Sequence, residues 1–346
     1  MSKRALVLTN HLHSFTGSEV VAMEVAEELV DLGYSVDLGA NVVSTEMSEE
    51  LSKKGISATE SVDGIELSQY GFIWSQHGLL SLCAGLEEAR KSDVFIASVH
   101  LSSFTSFEFI GLISCPATAN VIVANSQETA DALSSLGVDQ KWILNFQNAA
   151  PRKFVRKEKG AFKKLEKLLI VSNHMPREIS DAANLLVRMG VQVKAFGQNQ
   201  NFYRRIVPED IWEADGIISI GKTVQYSILG STPVYCYDYL GGPGWLNENN
   251  FDTAARFNFS GRCCNRVLNG PQIAAEIISG FQMASENMNT LHSELSDSYV
   301  LDKFLINMLS NNTNKRYPDR ASIDVSKHVA VNTRNLYYNG YYGTLV

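Results

Sequence analysis

The chain has 346 residues, of which 45% are hydrophobic, 19% charged and 10% aromatic. This composition excludes a disordered, collagen-like or disulfide-scaffold protein, and the length exceeds what one hydrophobic core usually supports. The formal net charge of −7 argues against a protein that binds nucleic acid through a general basic surface.

The cysteines and the N terminus predict a reduced, cytoplasmic protein. The five cysteines lack paired metal-ligand spacing, and the adjacent pair Cys263-Cys264 is a poor candidate for an internal disulfide. The first residues include only a very short apolar run, so no signal peptide is predicted. Residues 109–127 carry no charge, but Pro116 and several polar side chains make this segment a poor membrane span.

The first half of the chain predicts alternating strands and helices. Residues 4–9 predict a strand, residues 20–32 a helix that ends at Gly33, and residues 34–38 a second strand, which together form a βαβ unit. Further strands are predicted over 72–74, 94–99, 121–123 and 142–144, and further helices over 79–91 and 127–136.

A basic segment separates the two halves. Residues 152–167 contain eight Lys or Arg and two Glu, a local charge of +6 in a chain of net charge −7. Charge runs are usually solvated, so we interpret the segment as an interdomain linker. Contact with an anionic membrane surface is the alternative.

The same α/β rhythm then resumes. Strands are predicted over 168–172, 192–196, 216–220 and 233–237, and helices over 178–189, 203–214, 223–229, 271–283 and 298–309. Two such halves predict two Rossmann-like, doubly wound α/β domains that face each other across a cleft, with ligands at the carboxyl ends of the strands. The predicted domains are 1–151 and 167–295, with a linker over 152–166. Residues 296–346 then form a C-terminal helix and a Tyr-rich tail, expected to pack back on the first domain.

The segment after the first strand is a candidate anion site. Thr16-Gly17-Ser18-Glu19 places a glycine at a helix start, where backbone amides and the helix dipole favour an anion. The alternative is a plain helix cap with Glu19 in the first turn.

A second candidate lies in the other half. Residues 216–223 match the phosphate-loop string Gly-x4-Gly-Lys-Thr, but residues 217–220 are apolar and predict a strand instead of a loop. What remains is a turn of Gly221, Lys222 and Thr223 before a helix. This turn either seats a diphosphate, with Lys222 as the point charge, or caps a helix that carries a surface lysine.

A glycine-rich segment follows the last predicted strand. Gly241, Gly242, Pro243 and Gly244 predict a loop whose backbone a ligand can approach closely. Asp238 comes just before this segment, where a carboxylate would accept a hydrogen bond from a ligand hydroxyl.

Three histidines follow predicted strands: His77, His100 and His174. Arg177, on a loop before a helix, is a second candidate phosphate ligand. The spacing of His11 and His13 is too weak to name a metal, and no metal site is predicted.

These segments together resemble the GT-B-fold nucleotide-sugar glycosyltransferases, most nearly those of family 4. Residues 16–19 with 32–36 are similar to the family's N-terminal GG-S-E … L-x-x-G-H-x-V passage. Residues 121–127 with 143–145 resemble its passage before the linker, and residues 214–242 resemble its donor-site passage. Two acidic positions that the family commonly has are occupied by Gln225 and Ile217, which indicates a divergent branch.

The resemblance implies transfer of a sugar from a nucleoside diphosphate sugar to an unknown acceptor, with no metal or other cofactor. The implied donor-binding residues are Gly17, Ser18, His174, Arg177, Gly221, Lys222, Thr223, Gly241, Gly242, Pro243 and Gly244. The implied catalytic positions are His100, which would orient the sugar or acceptor, Asp238, which would hold sugar hydroxyls, and Gln225.

Two other functions remain open from the sequence. A nucleotide-sugar 2-epimerase would share the architecture, and a catalytically inactive sugar-nucleotide-binding subunit would be consistent with Gln225 in place of a glutamate. The expected partners are a nucleotide sugar and an acceptor, with no stable nucleic-acid binding. A homodimer is a further alternative.

Overall fold

The computed structural model describes residues 3–103, 119–156, 160, 162–198, 200 and 202–311. Contacts divide the chain into two compact units. Among the described residues, the first unit contains those within 3–14, 18–146 and 305–311, and the second contains those within 15–17 and 147–304. The predicted Tyr-rich tail, over residues 331–346, lies outside the described residues.

The first unit is built on a parallel sheet of seven strands. Its strands and a small added ribbon are β1 (Arg4–Leu8), β2 (His11–Leu12), β3 (Ser35–Ala40), β4 (Val42–Val43), β5 (Ser57–Glu60), β6 (Phe72–Gln76), β7 (Phe95–His100), β8 (Val121–Ala124) and β9 (Ile143–Asn145). The order in the sheet is β5-β3-β1-β6-β7-β8-β9, while β2 pairs with β4 in the separate ribbon. The direction of chain progression reverses between β1 and β6, so the carboxyl ends of these two strands form a topological switch point.

The described helices of this unit are α1 (Gly17–Asp31), α2 (Thr45–Ser52), α3 (Leu86–Lys91) and α4 (Gln127–Ser135). The prediction of one helix over residues 79–91 is wrong. Residues 79–82 form a 3-10 turn and α3 begins only at Leu86, because Gly85 has a φ of +71° and a left-handed residue interrupts a right-handed helix.

The second unit contains a five-stranded sheet. Its strands are β10 (Lys167–Val171), β11 (Gln192–Phe196), β12 (Gly216–Ser219), β13 (Val234–Asp238) and β14 (Gly241–Trp245), in the order β11-β10-β12-β13-β14. The described helices from residue 177 onward are α5 (Arg177–Arg188), α6 (Pro208–Glu213), α7 (Lys222–Leu229), α8 (Phe251–Arg256), α9 (Gly270–Leu295) and α10 (Leu301–Asn311). The switch point of this sheet lies between β10 and β12.

The glycine-rich segment is a strand, so its prediction as a loop is wrong. Residues 241–245 form β14, which runs antiparallel to β13 at the edge of the sheet with a register shift between Cys236 and Asp238. The glycines suit this position because the chain packs against its own backbone there. A Cβ added at Gly242 would lie 2.0 Å from the Cys236 carbonyl oxygen, and one at Gly241 2.1 Å from that of Arg266.

Apolar side chains cover both faces of the second sheet. Leu168 and Ile170 of β10 belong to one buried cluster, and Leu169 between them belongs to another. This alternation places helices on both faces, as in a doubly wound sheet. The predicted α/β class with two Rossmann-like units is therefore confirmed. None of the described helices is long and apolar enough to cross a lipid bilayer.

Candidate functional site

The switch point of the first unit brings together buried polar groups that follow β1 and β6. Thr9 and Asn10 come directly after β1, while Gln76 ends β6 and His77 follows it. The Thr9 hydroxyl lies 3.0 Å from the Gln76 amide, and the Asn10 backbone amide donates to His77 Nδ1 at 3.1 Å. The two strand ends are thus joined by hydrogen bonds between side chains and loop backbone.

His77 is held in one orientation and one tautomer. Its φ of +57° lies in the left-handed region, which is uncommon for a side chain larger than glycine. Because Nδ1 accepts a hydrogen bond, the proton of the neutral ring is on Nε2. The ring therefore presents a fixed N–H donor at the edge of the sheet.

A second cluster in the same loop contains His11, His13 and Glu19. The rings of His11 and His13 stack with centroids 5.0 Å apart. The fully buried carboxylate of Glu19 accepts from the His13 and Ser14 backbone amides, both at 2.9 Å, and from the Ser14 hydroxyl at 2.8 Å. The prediction of a plain cap with Glu19 in the first turn is therefore incomplete, because this carboxylate folds back to organise the loop.

The His11 ring is neutral at physiological pH. Burial lowers the pKa of His11 to about 4, and the neighbouring His77 and His13 rings lower it further, against the opposing effect of Glu19. A neutral imidazole carries a lone pair on one ring nitrogen, which can accept a hydrogen bond or bind a cation, and His11 Nδ1 lies 3.3 Å from Asn10 Nδ2.

Gly17 and Ser18 begin α1 beside this cluster. Gly17 is exposed, and a Cβ added there would contact nothing within 4 Å. Packing within the described residues therefore does not require a glycine at this position.

His100 is the last residue of β7, the strand next to β6. Its ring is buried, with Nε2 3.1 Å from the Ser98 hydroxyl. The structure thus places His100 and His77 at the carboxyl ends of adjacent strands.

In the second unit, two helices begin at the switch point. Helix α5 starts at Arg177 after β10, and α7 starts at Lys222 after β12. The side chains of His174 and Arg177 are exposed and make no hydrogen bond or ion pair with another described residue. Helix N termini carry free backbone amides and a partial positive charge, so this edge of the sheet can bind an anion.

The structure confirms that residues 216–223 form a strand followed by a turn and the start of a helix. Gly216–Ser219 form β12, and Gly221 caps α7 with a φ of +57° and a ψ of −133° that suit only glycine. The segment is therefore a strand and a turn, with Thr223 buried in the first turn of the helix. It is not a phosphate-binding loop of the Gly-x4-Gly-Lys-Thr type.

Lys222 and Gln225 bind the chain segment that follows β9. The Lys222 ammonium donates to the carbonyls of Asn148 at 3.2 Å and Ala149 at 2.5 Å, and Gln225 Nε2 donates to the Gln147 carbonyl at 2.9 Å. Lys222 is half-buried, so the alternative of a surface lysine is wrong. Gln225 is buried, and its Oε1 has no hydrogen-bond partner among the described residues.

The Asp238 carboxylate accepts hydrogen bonds from other residues of the second unit. Its Oδ2 accepts from the Ser260 hydroxyl at 2.6 Å and from the Gly261 amide at 3.0 Å, and its Oδ1 accepts from the Leu240 amide at 2.8 Å. The carboxylate therefore fixes the turn between β13 and β14. Gly241, Gly242, Pro243 and Gly244 lie in β14 and do not form the predicted open loop.

Sequence reasoning missed Thr9, Asn10 and Gln76. These residues are polar, buried and adjacent to predicted strands, but only the strand order places β1 beside β6. A Rossmann-like order makes the first and fourth strands neighbours, but β5 was not predicted, so residues 72–74 were counted as the third strand and this rule did not identify them.

No protein-family model matches this chain, and no curated protein matches it. Solved structures do. The Anabaena protein Alr3699/HepE, crystallised with UDP-glucose, is 11% identical and has a TM-score of 0.59 over 89% of this chain and 99% of that chain.

Two further structures are similar over comparable lengths. WaaG, a glycosyltransferase involved in lipopolysaccharide biosynthesis, is 12% identical with a TM-score of 0.53 over 89% of this chain and 100% of that chain. A protein from Listeria monocytogenes assigned as a UDP-N-acetylglucosamine 2-epimerase is 9% identical with a TM-score of 0.53 over 92% of this chain and 99% of that chain. The chain therefore has the fold of these proteins, and the predicted GT-B fold is confirmed.

Proposed function

We propose that this protein is a glycosyltransferase that moves a sugar from a nucleoside diphosphate sugar to an acceptor. The observation that carries the proposal is the shared fold over 89% of this chain and 99% of a protein crystallised with UDP-glucose. A uridine diphosphate sugar is accordingly the first donor to test. The family 4 resemblance of the sequence motifs points to the same reaction.

In this reaction the bond between the anomeric carbon and the diphosphate oxygen breaks, and an acceptor oxygen forms a bond to that carbon and loses its proton. Negative charge develops on the leaving diphosphate. We assign its stabilisation to the second unit, where Arg177 and the N termini of α5 and α7 lie at the switch point. We expect His174, on the same loop, to contact the donor. Lys222 acts indirectly, because its ammonium holds the carbonyls of Asn148 and Ala149.

Arg177 provides the test of donor binding. Thermal unfolding is measured with UDP, other nucleoside diphosphates and their sugars, because a ligand at 100 times its Kd adds about 2.7 kcal/mol to the stability of the folded state. Arg177→Gln should weaken nucleotide binding by about tenfold, the effect of losing one charge-assisted contact. Arg188→Gln is the matched control, since it removes the same charge from the exposed far end of α5.

The wild-type protein and Arg188→Gln should respond equally to nucleotide. A panel in which no nucleoside diphosphate raises the melting temperature would refute the proposal. An equal response in Arg177→Gln would remove Arg177 from the site and leave nucleotide binding in place.

A nucleotide-sugar 2-epimerase is the second candidate, favoured by the similarity to the Listeria protein over 92% of this chain. Incubation with a nucleotide sugar and no acceptor separates the two, because epimerisation needs no acceptor. A new epimer detected by NMR would establish the epimerase. Donor binding with neither reaction, across a panel of acceptors, would favour the inactive binding subunit.

A further inference from the structure

His11, His13 and Glu19 place three metal-ligating atoms together at the carboxyl end of β1. His11 Nε2 lies 4.0 Å and His13 Nδ1 3.9 Å from Glu19 Oε1, and all three ligand atoms lie within 4.8 Å of one another. No other group of three such residues converges in this way among the described residues. The sequence spacing alone did not reveal the cluster, because Glu19 joins it only through the fold of the loop.

The backbone sets the positions of these side chains. His11 lies in β2, which is paired with β4, and Leu12 is buried beside it. His13 follows this strand in a bend that stacks its ring on that of His11. Glu19 is fixed by hydrogen bonds from the His13 and Ser14 amides and the Ser14 hydroxyl. Ligating carboxylates are typically held by such hydrogen bonds, which orient the oxygen toward the metal.

The exposure of the three side chains suits metal entry. The Glu19 side chain is 0% exposed, whereas those of His11 and His13 are 19% and 23% exposed. The two rings are thus partly exposed to solvent, while the carboxylate is held in place by its hydrogen bonds. Ligand atoms around a tetrahedral ion with bonds of about 2.0–2.1 Å lie roughly 3.3 Å apart, so ring rotation must close the observed distances by under about 1.5 Å.

We propose that His11, His13 and Glu19 bind one divalent transition-metal ion of the Zn²⁺ class. Two imidazoles and one carboxylate suit Zn²⁺, Co²⁺ and related ions, whereas Mg²⁺ and Ca²⁺ prefer a shell of oxygen ligands. Three protein ligands leave at least one coordination position for water or another oxygen ligand. The site belongs to the first unit and is independent of the donor proposal made for the second.

The test uses the full chain without a histidine tag, freed of metal by a chelator and studied without nucleotide or sugar. Co²⁺ is titrated and followed by its visible absorption, and Zn²⁺ binding is measured by calorimetry. We expect one saturable site per chain, from which Zn²⁺ displaces Co²⁺ and Mg²⁺ does not. His11→Ala and His13→Ala should each weaken binding by at least about 100-fold, more than the 10–100-fold typical of outer-shell changes.

His174→Ala is the matched control, because it removes an exposed loop histidine of the second unit and should leave the affinity unchanged. Glu19→Gln should also weaken metal binding, but this change disturbs the loop as well. The test of the proposal therefore depends on the two histidine variants. Thermal melts verify that each variant is folded. Absence of a saturable site, an unchanged affinity in His11→Ala and His13→Ala, or an equal loss in His174→Ala would each overturn the proposal.

Discussion

At the residue scale, Gln225 shows how a position in a motif can acquire a different role. The resembled family commonly has a glutamate there, whereas the amide of Gln225 donates to the Gln147 carbonyl at 2.9 Å. Gln147 and Asn148 are both in the left-handed region, with φ of +52° and +53°, so this segment needs side-chain hydrogen bonds to hold its carbonyls. An ionised glutamate could not donate to this carbonyl.

Restoring the acidic residue should therefore destabilise the protein. Gln225→Glu would place a buried carboxylate against a carbonyl oxygen, and we expect a loss of about 3 kcal/mol in the free energy of unfolding. Gln225→Met, the control of similar size, should cost only about 1 kcal/mol because it removes one hydrogen bond and the unpartnered Oε1 together. Urea unfolding at pH 7.5 compares the two variants. A Gln225→Glu protein as stable as the wild type would contradict the assigned role.

At the element scale, one carboxylate ties the start of α6 to β11. Asp210 is 4% exposed at its side chain, accepts from the Val207 amide at 3.1 Å, and pairs with Lys194 at 3.1 Å and Arg204 at 2.8 Å. Burial by itself would raise the pKa of Asp210, but the hydrogen bonds from Arg204, Val207 and Lys194 outweigh it and lower the pKa. The ionised form is therefore the stabilising one.

Asp210→Asn should reduce the free energy of unfolding by about 2 kcal/mol at pH 7, less than the roughly 3–5 kcal/mol of a fully buried ion pair, because both cations are half-exposed. The folded pKa lies below the unfolded value of about 3.9, so the contribution is complete above that pH and is lost as the pH falls through the folded pKa. Urea unfolding from pH 8 to pH 3 should show a constant difference that shrinks only below about pH 4.

Asp139→Asn is the matched control for this series. Asp139 pairs with Lys141 at 2.6 Å on the surface, and the hydrogen bonds from Lys141 lower the pKa of Asp139 as well. Exposed salt bridges contribute little to stability, so this variant should stay much closer to the wild type than Asp210→Asn at every pH. A difference for Asp210→Asn that grows toward acid pH would contradict the assigned direction of the pKa change.

At the scale of the whole molecule, charge is distributed unevenly. Residues 152–167 carry a local charge of +6 in a chain of −7. Some of these basic side chains bind other groups of the second unit. Arg152 forms a bidentate pair with Asp302 at 2.8 and 3.0 Å, and Arg156 donates to the Trp212 carbonyl at 2.9 Å and lies over the Trp212 ring. These contacts favour a structural role over binding to an anionic surface.

We therefore expect no stable association with anionic lipid vesicles. At about 0.15 M salt, charges are screened over roughly 8 Å, and the acidic remainder of the molecule opposes binding. Cosedimentation with vesicles rich in phosphatidylserine measures this directly. Binding by the wild type that is lost when exposed Lys163 and Lys164 are both replaced by Glu would establish the membrane alternative.

The sequence by itself determined the α/β class and the position of most elements. Continuous apolar runs such as residues 121–123 predict buried parallel strands, and glycines such as Gly33 and Gly190 end the preceding helices. Both signals can be read from neighbouring residues alone. The β14 strand was not predicted, because its glycines are required by close contact with the backbone of Arg266 and Cys236. These residues reach β14 only in the folded sheet.

Only the tertiary structure decided which side chains meet. Strand order depends on pairing between segments far apart in the chain, and this pairing brings Asn10 of the β1 end to His77 of the β6 end. The fold of one loop likewise returns the buried carboxylate of Glu19 to His11 and His13. Local periodicity cannot specify these contacts, because it records which face of an element is apolar and not which other element covers it.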